Sequence, residues 1–173
     1  MRILVAGIGN IFHGDDAFGV EVVSLLANRD LPPEVRVADF GIRAFDLACA
    51  LIAGYDVTVL VDAAETGGAP GTLRTVEIDA GETIVPDGSE SLAGMHGLNP
   101  TSVVRMAKLM GGSFGRILLV GCQPETLGTE EEGQMGLSAT VAATLQRAAD
   151  VVEALVNELV EDSRLALREG APA

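Results

Sequence analysis

The sequence predicts a single-domain three-layer α/β sandwich: a mostly parallel, twisted sheet with one antiparallel edge strand and helices on both faces. Two observations carry this expectation. Short aliphatic runs alternate along the chain with segments of helical periodicity, the order that a doubly wound sheet requires. The composition agrees, because apolar residues make up 48% of the 173 residues while aromatics make up only 3%. A core filled by Val, Leu, Ile and Ala suits strands buried on both faces.

Taken in order, Arg2–Ala6 is an aliphatic run that ends in the turn-rich segment Gly7-Ile8-Gly9-Asn10. It is too short, and too poor in flanking basic residues, to be a signal peptide, so it reads as the first strand. From Asp15 the period changes, and Phe18, Val22, Leu25 and Leu26 fall on one helical face. Glu34–Phe40 is the second strand and Phe45–Ala53 the second helix, closed by Gly54. Val57–Val61 is the clearest strand, β-branched throughout apart from Leu60, and it stops at Asp62. Thr72–Ile78 reads as a strand at an antiparallel edge. Asp79–Met95 is a long polar loop of the length that tends to carry function. Asn99-Pro100 supplies an N-cap and a first-turn proline for a helix that Gly111-Gly112 closes. Arg116–Cys122 is the last strand, and a final helix runs from about Ser138 to Val160. Residues 1–160 thus form one domain, and the charged segment 161–173 reads as a frayed tail.

Charge and cysteine usage narrow the function. A formal net charge of −14 argues against nucleic-acid binding, which relies on basic groups to displace counterions. No apolar stretch reaches the roughly 20 residues needed to cross a bilayer. Cys49 and Cys122 are far apart and not in metal-type spacing, as expected of a reduced cytoplasmic protein without disulfides. Gly7-x-Gly9 is not a dinucleotide loop, because Phe12 stands where the third glycine is needed and Asp15 and Asp16 would repel phosphates.

Ligands of open parallel sheets bind outside the carboxyl ends of the strands. A carboxylate follows almost every parallel strand here: Asp16, Asp39, Asp62 and Glu125. Asp15 and Asp16 open a helix, where one acid can cap amides while the other faces the crevice. His96 follows the long loop and precedes a helix start, although a lone loop histidine is more often a surface residue. Asp16, Asp62 and His96 together make a three-ligand set for a divalent ion, with positions left open for chemistry. The rival enzyme reading makes Cys122 a nucleophile with His96 as its base. A third reading is a metal carrier or chaperone that uses the same acids without turnover.

Gly7-Ile8-Gly9-Asn10, Gly14-Asp15-Asp16 and Gly19-Val20 resemble the opening of the nickel–iron hydrogenase maturation endopeptidases. The likeness continues in order through Asp39-Phe40-Gly41, Leu60-Val61-Asp62-Ala63, Gly71-Thr72-Leu73, His96-Gly97-Leu98, Val120-Gly121, Pro124-Glu125 and Gly136-Leu137-Ser138, over about residues 2–160. The resemblance implies an aspartic-type or metal-assisted peptidase acting in the cytoplasm as a monomer. Its substrate would be the large-subunit precursor of a hydrogenase, from which it removes a C-terminal extension once nickel is in place. Asp16, Asp62 and His96 would hold nickel supplied by that substrate, or another divalent metal. Asp16, Asp62 and Asp39 form the expected catalytic set, and Gly41 and Glu125 the expected recognition positions. Asp16 is one methylene shorter than the glutamate common at that position, Ala17 replaces a common glycine, and Ile42-Arg43 replaces a common Gly-Thr.

Overall fold

The structure is a computed structural model that describes residues 1–79, 100–128 and 133–169. Five strands form one sheet in the order β2-β1-β3-β5-β4. They are β1 (Ile3–Ile8), β2 (Val35–Gly41), β3 (Val57–Ala63), β4 (Leu73–Ile78) and β5 (Arg116–Cys122). The first four neighbours run parallel, and β4 pairs antiparallel with β5 at the edge. The expected α/β sandwich with one antiparallel edge strand is the architecture found.

Period-two alternation explains the layers. Ile3, Val5, Val57, Val59 and Val61 face one side, where they meet Phe18, Val22, Val23 and Leu26 of α1 (Phe18–Leu26). The same side receives Ala148, Ala149, Val152 and Val156 from α5 (Leu145–Glu169). Leu4, Ala6, Ile8 and Leu60 face the other side and pack on Leu47, Ala48 and Leu51 of α2 (Ala44–Leu51). Val103, Val104 and Ala107 of α3 (Pro100–Leu109) complete that layer. The central strands β1 and β3 are buried along almost their whole length, as their unbroken aliphatic sequences require. On edge strand β4, Glu77 takes a two-pronged contact from Arg116, at 3.1 and 2.9 Å, and its charge discourages pairing with a further chain.

Three boundaries differ from expectation. Strand β1 runs on to Ile8 because Gly7 pairs with both Asp39 and Val61. The final helix is interrupted: α4 (Ala139–Ala142) is a short first piece, and the Thr144 hydroxyl donates to the Val141 carbonyl at 2.7 Å where the chain turns into α5. Hydroxyls that bond nearby carbonyls compete with the helix ladder in this way. Residues 161–169 are helical rather than a frayed tail, because α5 continues to Glu169 and Arg164 is held by Glu34 at 2.7 Å. Residues 170–173 and 80–99, which include the long loop after Asp79, lie outside the described residues.

The strand order reverses direction between β1 and β3, since the chain goes outward from β1 to β2 and then back across to β3. That switch point opens a crevice at the carboxyl ends of these two strands. No described helix is long and apolar enough to cross a membrane.

Candidate active site

The two adjacent acids that follow β1 have separate duties. Asp15 is fully buried, and its carboxylate accepts from the amides of Glu125 at 2.8 Å, Thr126 at 3.0 Å and Ser138 at 2.7 Å. The Ser138 hydroxyl adds a fourth bond at 3.0 Å. Burial by itself would raise the Asp15 pKa, but these amide and hydroxyl donors outweigh it and hold the group below its ordinary value. Asp15 therefore ties the loop after β5 and the start of α4 to the loop after β1. Ser138 in turn caps α4, its hydroxyl accepting from the Val141 amide at 3.2 Å.

Asp16 turns the other way. Its Oδ2 accepts from the Asn10 amide at 2.7 Å, which holds the side chain at the mouth of the crevice. Gly9 makes this possible: its φ is +130°, and a Cβ there would sit 1.7 Å from the Asp16 carbonyl oxygen. Gly19 acts similarly, because its missing Cβ would lie 2.1 Å from the Val61 carbonyl, so α1 can press directly on β1 and β3.

Asp62 stands at the carboxyl end of β3, only 4% exposed. Burial first, and the negative charge of Asp16 second, push its pKa well above the ordinary carboxyl range, against a smaller opposing effect of the Ala63 amide. The switch point thus brings the buried carboxyl group at the end of β3 within electrostatic reach of the carboxylate in the loop after β1. Among the described residues, neither takes part in an ion pair. Carboxyl oxygens are donors that suit a divalent metal, and Asp16 and Asp62 are described residues that could contribute to holding one. His96, the third expected ligand, lies outside the described residues.

The other expected positions are less central. Asp39 is exposed and level with Val61, but on the far side of β1, two strand spacings or roughly 10 Å away. No group of three potential metal ligands gathers among the described residues, so Asp39 does not join Asp16 and Asp62 there. Its carbonyl accepts from the Arg43 guanidinium. Gly41 has a φ of +52° and lies opposite Ile8 where the β1–β2 register shifts, and its carbonyl accepts from the Gly9 amide at 3.1 Å. Glu125 is exposed at the rim and engages Asp15 through its backbone.

Cys122 does not have the setting of a nucleophile. It is fully buried in the α1/α5 layer, and it pairs with Ala63 while Asp62 pairs with Gly121, so the thiol and the Asp62 carboxyl leave opposite faces. Burial pushes the thiol pKa up, Thr144 lowers it and Asp15 raises it, with a net rise that disfavours the thiolate.

Sequence reasoning missed two supports. Gln123 Oε1 accepts from the Thr66 amide at 2.7 Å and the Gly67 amide at 3.1 Å, which fixes the loop leaving β3. The loop after β1 is also stitched to a later one: His13 bridges Gln134, and the Gly14 amide donates to the Gln134 carbonyl at 2.6 Å. Both contacts span more than fifty residues, and no local pattern announces them.

A mostly parallel sheet with its switch point at the strand ends, and a buried carboxyl group there, defines the class: an α/β protein with its candidate site in that crevice. The family model described as hydrogenase maturation protease matches residues 20–155. The hydrogenase 2 maturation protease of Escherichia coli K12 is 32% identical over 160 residues, covering 91% of this chain and 92% of that protein. The hydrogenase expression/formation protein HupD of Rhodobacter capsulatus is 34% identical over 127 residues. That match covers 73% of this chain and only 59% of HupD. The solved structure of the hydrogenase maturating endopeptidase HybD from E. coli superposes with a TM-score of 0.70 at 29% identity, covering 91% of this chain and 93% of that one. The chain belongs to the hydrogenase maturation protease family.

Proposed function

We propose that this protein is an endopeptidase that removes the C-terminal extension from the large-subunit precursor of a nickel–iron hydrogenase. The observation that carries the reading is Asp62, nearly enclosed at the switch point and within reach of the Asp16 charge. Hydrolysis of a peptide bond adds water across it: one group takes the water's proton as oxygen attacks the carbonyl carbon, and one gives a proton to the departing nitrogen. A buried carboxyl group that keeps its proton can give one, and a second carboxylate within its reach can take one. This is the aspartic-type form of the reaction.

Nickel enters as part of the substrate. Asp16, Asp62 and His96 would contact the nickel already seated in the precursor, so that only a loaded precursor is held in register for cleavage. Asp39, Gly41 and Glu125 would contact the polypeptide on either side of the scissile bond. The two free cysteines suit the reducing cytoplasm, where the precursor is made. The charge of −14 suits a protease that works as a monomer.

The test is intact-mass analysis of nickel-loaded precursor incubated with sub-stoichiometric protein. Complete conversion to a shorter product is expected for the native protein, and none for Asp16→Asn, Asp62→Asn or His96→Ala. Unimpaired cleavage by both aspartate variants would overturn the assignment. Stoichiometric binding with no mass change would make the protein a carrier instead.

A further inference from the structure

The rim of the carboxylate crevice carries six exposed large apolar side chains: Ile11, Phe12, Ile42, Phe45, Leu127 and Met135. They are not scattered singly. The Gln134 amide donates to the Phe12 carbonyl at 2.8 Å and Gly128 abuts His13, so Phe12, Leu127 and Met135 come from three stretches of two interlocked loops. Ile42 and Phe45 stand on the other flank, where the Gly9 amide meets the Gly41 carbonyl at 3.1 Å and α2 begins. Phe45 is 62% exposed and Met135 75%. Exposed apolar groups gathered at the edge of a site mark an interaction surface.

Charge tells what covers it. The described rim around this patch bears Asp16, Asp39, Asp46, Glu65 and Glu125. Its Lys and Arg residues are Arg43, engaged by the Asp39 carbonyl and, at 3.6 Å, by the Asp46 carboxylate, and Arg74, which pairs with Gly121 level with Asp62, so acids outnumber bases there. A second copy of this chain, with net charge −14, would meet like charge there. From this arrangement we infer that the two apolar flanks dock a folded protein surface that presents apolar side chains within a ring of basic residues. The inference rests on the proposed endopeptidase reading, and it identifies that surface as the face of the precursor flanking its scissile segment. The apolar flanks supply affinity, and the acidic rim supplies approach and orientation. Chemistry at Asp16 and Asp62 is separate from docking, so docking is read in KM and chemistry in kcat.

Two double variants test this with nickel-loaded precursor: Phe12→Ser/Met135→Ser and Ile42→Ser/Phe45→Ser. A third, Leu165→Ser/Leu167→Ser, removes two equally exposed apolar side chains from the far end of α5. Each rim variant is expected to raise KM by about tenfold, the scale of a docking hot spot, with kcat within about twofold of native. The α5 variant is expected to match the native protein, and added salt to raise the native KM. Circular dichroism and melting temperature confirm that all three fold, as expected for exposed positions. Native KM in both rim variants while native protein cleaves normally would overturn the docking surface and leave the protease reading standing. A concentration-dependent dimer that the rim variants abolish would give the patch to a second copy and overturn it as well. Failure of the native protein to cleave would remove the protease reading, and the docking inference with it.

Discussion

Asp15 accepts both the backbone amide, at 2.7 Å, and the side-chain hydroxyl, at 3.0 Å, of Ser138, a residue 123 positions further along the chain. One carboxylate thereby locks the cap of α4 to the loop that carries Asp16. The neighbouring acid is free to face the crevice because Asp15 holds the loop.

Asp15→Asn keeps the shape but replaces an acceptor of four donors with an amide whose nitrogen confronts N–H groups. A loss of about 3 kcal/mol is expected, within the range for breaking a buried charge-assisted network. Because the folded-state pKa of Asp15 is lowered, its contribution is present above the ordinary carboxyl range and is lost as pH falls through the folded value. The gap between native and variant, measured by urea unfolding, should therefore narrow in acid. A gap independent of pH would contradict this account.

Asp62 has the opposite sign. Its folded-state pKa is raised, so in metal-free protein the folded form holds a proton that the unfolded form has released. Stability then falls as pH rises from the ordinary carboxyl range up to the folded value, and levels off above it. Asp62→Asn mimics the protonated group, and should be more stable than native protein at pH 8 in the presence of chelator, with little difference near pH 4. The same variant should lose cleavage by at least about a hundredfold, the scale of a lost general acid or base. A variant less stable than native at pH 8 would refute the burial argument.

Gly9→Ala tests the positioning of Asp16. A Cβ at φ +130° is strained, and it collides with the Asp16 carbonyl oxygen. A cost of about 3 kcal/mol or more is expected from strain and overlap combined, with loss of cleavage even in the fraction that stays folded. Thermal melting and a mass assay at low temperature separate the two effects.

Cys122→Ala should keep its activity. The thiol is enclosed in the α1/α5 layer and faces away from Asp62. Removing the sulfur leaves a small void worth about 1 kcal/mol, or roughly 2–4 °C in melting temperature for a chain of this size. Loss of cleavage in a fully folded variant would return Cys122 to the list of nucleophiles.

Much of the fold was legible because its signals are local. The run Val57–Val61 could only be a buried strand, Pro100 could only sit at a helix start, and Arg116–Cys122 appeared with both ends correct. The end of α5 was not legible. Residues 161–169 look like a charged tail by composition, and they are helical partly because Glu34, in the turn before β2, holds Arg164.

The sequence alone determined the layers, the antiparallel edge, and the fact that acids accumulate where parallel strands end, since burial pattern and strand direction are written residue by residue. Only the tertiary structure shows which partners each acid keeps. Asp15 and Asp16 are chemically identical and adjacent, and nothing local distinguishes them. Thr126 and Ser138 claim one, and Asp62, on another strand, lies within reach of the other's charge. A carboxylate's role depends on which donors and charges surround it, and those neighbours come from distant parts of the chain.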